Sequence, residues 1–455
     1  MSTHSDLKAR SPWASLQGIK SLCLSPPESP IKAGLRIPGS KSFTNRALII
    51  AASAKGTSIL SGILQSDDSY WCIDTLKKLG VSIDVAGDVA TIKGTDAAWL
   101  PAKDGLYIGA AGTTARFLPG VLAAAPTGNW LLEGSERLKE RPLDDLIQGL
   151  RSLGASLSTV DPGKSFPLRI SGGGLRGGDV TVSGKISSQF LSGILIASPL
   201  ANAPVKISVI DGIVQPSYID MTLSLMRAFG AAAERDDALT QIAVSPTRYC
   251  GQEIALEADA STSCYFLAIA ALTGGTIKIT NLGYSTSQPD IKMVDVLERM
   301  GCKVTRTDSY VEVTGVTKKL TGGFTMSMRE MSDQALTLAV LASFADAPVT
   351  ITEVAHIRHH ECDRIQAICA LLNSAGVQVA EHEDGLTIDP EKNTIKEITQ
   401  PFPSYDDHRI AMSLSLLSTR MRGLTILDPG CVSKTCPNYF EMLKGLGFKV
   451  VLSNS

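Results

Sequence analysis

The chain has 455 residues, 44% hydrophobic and 19% charged, a globular composition whose length calls for two or three domains. Its 43 basic and 45 acidic side chains leave a net charge of -2, which argues against nucleic acid or an anionic lipid surface as partner. No apolar run reaches the roughly 18 residues of a membrane span, and the nine scattered cysteines form no C-x-x-C pair, so free thiols in a reducing compartment are expected rather than a disulfide framework.

In chain order, residues 1–20 carry some positive charge without the apolar stretch of a secretory signal, and read as a loose extension. Pro38 and Gly39 punctuate a candidate domain crossing. Gly39 and Ser40 open a tight turn, with a helix expected from about Asn45. Lys41 and Arg46 then sit near a helix N-terminus, a place suited to anions. The phosphate loop of nucleotide hydrolases is missed by one residue, because Ser40 stands between Gly39 and Lys41. In Gly109-Ala110-Ala111-Gly112, small residues either let backbone approach a ligand or pack a helix start tightly, with Arg116 following on the helix. Arg137, Lys139, Glu140 and Arg141 form either a solvated face or an arginine clamp for carboxylate or phosphate. Ser187, Ser188 and Gln189 begin a helix and either cap it or bind phosphate there.

Further along, Glu361 and Arg364 are three apart and would share a helix face. His356 and His360 have the His-to-His spacing of a zinc protease, but Ile357 stands where that pattern needs glutamate, so no metal is expected. Tyr405-Asp406-Asp407-His408-Arg409 reads as a cap and a candidate site before an apolar helix. Ser433-Lys434-Thr435 lies in a loop between Asp428-Pro429-Gly430 and Pro437.

One pattern recurs through this series: an amphipathic helical stretch, a glycine, then an alternating strand. Its glycines are Gly80, Gly154, Gly230, Gly301, Gly376 and Gly447, spaced by 74, 76, 71, 75 and 71 residues. Each is expected to take the left-handed conformation that closes a helix. A period near 73 is too long for a solenoid, and fits six α/β units grouped three plus three. The midpoint falls near residues 250 to 260. With a second crossing at Leu35–Gly39, residues 1–39 would join the C-terminal half.

The motifs PGSKSxxNRAL, AGTxxR, KERP, SSQF, ExDR, DHRIAM and KTxP stand in the order found in 5-enolpyruvylshikimate-3-phosphate synthases, and the chain resembles that family over about residues 30 to 450. The resemblance implies an α/β fold of two domains, an inside-out α/β barrel with six βαβαββ-type repeats. The expected divisions are 1–39 as extension and first strand of the second lobe, 40–257 as first lobe and 258–455 as second. It implies enolpyruvyl transfer from phosphoenolpyruvate to the 5-hydroxyl of shikimate 3-phosphate. No cofactor and no metal is implied, nor any nucleic-acid or membrane partner; a cytoplasmic monomer is expected.

By position, Lys41, Gly112, Arg141, Gln189, Arg364, Arg409 and Lys434 match phosphoenolpyruvate contacts. Lys41, Ser42, Arg46, Ser187, Ser188, Gln189, Asp333, His356 and His360 match acceptor positions. Asp333, Glu361 and Lys41 match the acid/base groups. The cations come from both halves, which implies closure of a cleft around the substrates. The chain departs from the family at Ala110 and His356, where Asn is common, and at His360, where Lys is expected. It departs again around Val214-Gln215-Pro216-Ser217, where the acceptor-phosphate serine is displaced. An enolpyruvyl transferase with another anionic alcohol as acceptor, a nucleotide or a secondary metabolite, is the alternative. A non-catalytic anion-binding protein on the same fold is disfavoured by Lys41, Asp333 and Glu361.

Overall fold

The computed structural model describes residues 6–102, 104–394 and 400–454. The chain divides into two compact units. The N-lobe comprises Asp6–Trp13 and Gly39–Glu257; the C-lobe contains Ala14–Pro38 and runs on from Ala258. Each lobe has its own hydrophobic core.

Three helices of the N-lobe are buried nearly all round: Lys41–Ser53, Gly112–Ala123 and Ser188–Ala197. Their N-terminal halves touch one another. Asn45 Nδ2 donates to Thr113 Oγ1 at 2.8 Å, and Arg46 Nη2 to Ser192 Oγ at 3.2 Å. A side chain on Gly193 would lie 2.1 Å from the Arg116 carbonyl, so only glycine permits this approach. Amphipathic helices such as Asp67–Lys78 and Asp144–Ser152 lie outside these. The C-lobe repeats the scheme with buried helices Ala260–Thr273, Ala335–Ala342 and His408–Ser415.

The described strands form six four-stranded sheets, three to a lobe. Each has one parallel pair and two antiparallel pairs. In one, Glu253–Ala255 runs parallel to Lys55–Ser61, which pairs antiparallel with Val89–Thr95, and that strand with Ser82–Ala86. The end of the N-lobe thus closes onto its own first strand. The C-lobe also joins its first strand to its last, but in the opposite sense: Ser21–Ser25 lies between Leu424–Leu427 and Lys449–Ser453, antiparallel to both.

The six glycines have φ of 93°, 99°, 91°, 97°, 82° and 91°, all left-handed. Local expectations fare less well. The first N-lobe helix begins at Lys41, four residues early, because Ser40 caps it by accepting from the Phe43 N–H. Glu361 precedes its helix, which starts at Arg364 with Asp363 as cap, so Glu361 and Arg364 do not share a helical face. The N-terminal extension carries two C-lobe strands, Ser21–Ser25 and Lys32–Leu35, rather than one. Nor is it loose from residue 6 to 13: that stretch packs with the N-lobe through Ser11, whose N–H donates to buried Asp67 Oδ1 at 2.8 Å.

Candidate active site

The C-lobe gathers seven of the expected residues into one network. Asp333 sits on the short turn Ser332–Gln334, His356 and His360 on and after the turn Ala355–His359, and Arg409 in the first turn of His408–Ser415. Arg364 is the hub. Its Nε donates to Asp407 Oδ2 at 2.8 Å and its Nη1 to Asp333 Oδ1 at 2.8 Å and His360 Nδ1 at 2.9 Å. Its Nη2 donates to Glu361 Oε2 at 3.0 Å and Asp407 Oδ1 at 3.2 Å. A guanidinium has five donors, and here all five are in use. Arg409 Nη2 pairs with the other oxygen of Asp333 at 2.8 Å, and Lys434 Nζ with the other oxygen of Glu361 at 2.8 Å.

Three cations thus face three carboxylates, nearly all withdrawn from solvent. Burial works against charge on Arg364, but Asp407, Glu361 and Asp333 outweigh it and hold the guanidinium firmly protonated. The imidazoles behave oppositely. Burial, then Arg364, holds His360 well below the ordinary range, so it stays neutral and accepts from the guanidinium. Burial likewise pushes His356 down to about 4, with its Nε2 2.8 Å from Ser332 Oγ. Both rings serve the network, and no group of three or more potential metal ligands occurs among the described residues.

Three residues that sequence reasoning did not assign complete it. Asp407 caps the helix through the Arg409 N–H at 2.8 Å while also holding Arg364; the Asp-first cluster signalled the cap but not the anchor. Tyr265 Oη accepts from Arg409 Nη1 at 3.3 Å, from inside a helix whose sequence is simply apolar. Asp290, against Ser261, is pushed up to about 7, chiefly by burial and then by the Asp333 carboxylate, with Arg409 opposing.

The N-lobe holds the rest, most of them near the starts of its three buried helices. Lys41 and Ser42 are half-buried at the start of one. Gly112 is the first residue of the second, where a Cβ would lie 2.7 Å from Arg141 Nη1 and 3.0 Å from Arg116 Nη1. Glycine therefore admits both guanidinium groups, and Arg116 donates back to the Gly112 carbonyl at 3.1 Å. Arg141 follows the short helix Glu136–Glu140, whose other charges pair outward on the exposed side, Arg137 with Glu140 and Lys139 with Glu136. The run is thus a solvated face that ends on Arg141, whose guanidinium lies against Gly112. Ser187 caps the third helix by accepting from the Gln189 N–H at 3.2 Å, and Ser188 is buried. The Gln189 side-chain oxygen is buried and accepts no hydrogen bond from the described residues.

Arg46 is set deeper than a ligand contact requires. It is 1% exposed, donates to Thr222 Oγ1, the Ser42 carbonyl and Ser192 Oγ, and faces the rings of Phe117 and Tyr218 at 4.9 and 5.6 Å. Ser217 opens the helix Ser217–Ala228 just after Gln215, whose φ is +54°.

The family model described as EPSP synthase (3-phosphoshikimate 1-carboxyvinyltransferase) matches residues 26–443. A 3-phosphoshikimate 1-carboxyvinyltransferase 2 of Halalkalibacterium halodurans is 53% identical, over 98% of this chain and 99% of its own length. A chloroplastic 3-phosphoshikimate 1-carboxyvinyltransferase of Brassica napus is 40% identical, over 90% of this chain and 82% of its own. Among solved structures, an EPSP synthase from Acinetobacter baumannii superposes with a TM-score of 0.79 at 25% identity, covering 95% of this chain and all of that one. The fold is therefore the two-domain α/β architecture of the enolpyruvyl transferases, and the chain belongs to the EPSP synthase (3-phosphoshikimate 1-carboxyvinyltransferase) family.

Proposed function

We propose that this protein transfers the enolpyruvyl group of phosphoenolpyruvate to the 5-hydroxyl of shikimate 3-phosphate and releases phosphate. The observation that carries this reading is the Lys434–Glu361–Arg364–Asp333–Arg409 network, in which each of the two candidate acid/base carboxylates is held by two cations. The relative at 53% identity favours shikimate 3-phosphate over another alcohol as acceptor.

In the reaction the acceptor oxygen bonds to C2 of phosphoenolpyruvate as C3 gains a proton. Phosphate then leaves C2 and C3 returns a proton, restoring the double bond. Asp333 takes the hydroxyl proton, and Glu361 with Lys41 manages the proton at C3. Lys41, Gly112, Arg141, Gln189, Arg364, Arg409 and Lys434 hold phosphoenolpyruvate. Cations around the departing phosphate stabilise the charge it gains. Ser42, Ser187, Ser188, Gln189 and Asp333 take the acceptor, with Arg46, His356 and His360 holding its surroundings. Arrival of anionic substrate groups at Arg364 and Arg409 displaces Asp333 and Glu361, which frees those carboxylates to accept protons at that moment. No helix of the described residues is long and apolar enough to cross a membrane, and we place the activity in the cytoplasm.

The direct test is phosphate release from phosphoenolpyruvate by the purified protein. Release is expected only when shikimate 3-phosphate is present. Binding of phosphoenolpyruvate without turnover on that acceptor would overturn the assignment.

A further inference from the structure

We propose that the N-terminal segment Asp6–Trp13 is a positioning element for the phosphoenolpyruvate loop and acts through Trp71; the inference rests on the roles given to Gly112 and Arg141 above. Trp71 lies on the helix Asp67–Lys78, and its Nε1 donates to the Ala9 carbonyl at 2.7 Å. The segment grips the same helix at its start, where the Ser11 N–H donates to Asp67 Oδ1 at 2.8 Å and Arg10 Nη1 lies 3.8 Å from Asp67 Oδ2. Trp13 meets Tyr70 edge-on at 5.4 Å, Tyr70 meets Trp71 at 5.3 Å, and Trp71 meets Tyr107 at 5.2 Å. Edge-to-face pairs of this kind prefer one geometry over others, so the row fixes the orientation of the indole.

The indole in turn sets Gly109. That residue has φ +58°, and a Cβ on it would lie 2.3 Å from Trp71 Cδ1, so the ring rests directly against the loop backbone. From the other side the Gly109 carbonyl accepts from the Ser135 N–H at 2.9 Å. Ser135 caps the helix Glu136–Glu140, and Arg141 is the next residue. Gly109 is thus held between the indole and the start of the helix that presents Arg141, three residues before Gly112. A loop held in place before the substrate arrives loses less freedom on binding. The segment therefore contributes to phosphoenolpyruvate affinity without touching the substrate.

The test uses three full-length proteins: the double variant Arg10→Ala/Trp13→Ala, Trp71→Phe and Trp71→Leu. Losing one neutral hydrogen bond's worth of positioning should raise KM for phosphoenolpyruvate about 3- to 10-fold in the double variant. Turnover and KM for shikimate 3-phosphate should stay within about 2-fold. Trp71→Phe, which keeps a ring against Gly109, should lie closer to wild type than Trp71→Leu. Amide exchange at Ser135 and Ala111 should quicken in Trp71→Leu and in the double variant, with no substrate present. Unchanged KM for phosphoenolpyruvate in every variant overturns the proposal, as does a parallel rise in both Michaelis constants, which would mark general loosening. Should the wild-type protein not turn over shikimate 3-phosphate, the functional assignment falls by itself. The exchange rates then decide the bracing, and unchanged rates overturn it.

Discussion

Glu361 accepts from two cations at once, Lys434 at 2.8 Å and Arg364 at 3.0 Å, yet Arg364 keeps Asp333 and Asp407 when Glu361 is neutralised. Glu361→Gln should therefore preserve the pocket while removing its proton carrier. We expect turnover to fall by about 10²–10⁴ with both Michaelis constants within a few-fold; losses of equal size in both would assign Glu361 to binding instead. Two neighbouring groups give the lobe opposed pH responses. His356, surrounded by Asp333, Arg329, Arg364 and His359, is pushed from 6.5 to about 4, mainly by burial. Its unfolded form binds the proton more readily, so its contribution to stability is lost as pH falls from about 6.5 to about 4. Asp290, facing Asp333, Arg409, Ser261 and Asp259, is raised from 3.8 to about 7. Its contribution is present at low pH and lost as pH rises toward 7. The two oppose each other in the wild type. Melting temperature should climb from pH 4 to 6.5 in Asp290→Asn relative to wild type, and decline with rising pH in His356→Gln; superimposable curves would show that neither group titrates. The sequence made the charged members of this network visible because they occur in clusters. It could not show that the neutral imidazole at 360 turns to Arg364, nor that Tyr265 reaches Arg409, because both depend on neighbours distant in the chain.

The helix–glycine–strand joints were the most readable elements, since the left-handed turn is a local demand that glycine alone meets cheaply. Two of them separate the backbone effect from packing. A Cβ on Gly230, φ +91°, would meet nothing within 4 Å, whereas one on Gly80, φ +93°, would lie 2.7 Å from Leu100 Cγ. Gly230→Ala should cost about 1–2 kcal/mol in urea unfolding, from the left-handed backbone alone. Gly80→Ala should cost more, by whatever displacing Leu100 requires; equal losses would show that the side chain yields freely. Strand order was far less legible. Ser21–Ser25 sits in the middle of a sheet whose other strands lie some 400 residues away, with Leu22 and Leu24 fully buried. Nothing in the local sequence announces such a partner. The same limit explains why the first 20 residues read as loose: a short polar stretch shows its docking only when Asp67 and Trp71 are brought beneath it.

For the molecule as a whole, the chain leaves the N-lobe after Trp13, returns to it after Pro38 and leaves again after Glu257. The two later changes fall at Pro-Gly punctuation and near the midpoint of the glycine series; the first falls just after Ser11-Pro12, a turn signal that by itself marks no domain boundary. Each lobe has a separate core, and a ligand that binds only the folded protein adds stability by mass action. Shikimate 3-phosphate at about 100 times its dissociation constant should add about 2.7 kcal/mol. Arg141→Ala should retain that increment and lose the further one from phosphoenolpyruvate; loss of both would place Arg141 with the acceptor. The saturated guanidinium of Arg364 bears on life in a crowded cell. A monoanion such as chloride or acetate can offset only part of what the internal carboxylates already provide. A ligand must bring several acceptors together to exchange places with them, so the resting protein discriminates against simple salts through counter-ions of its own.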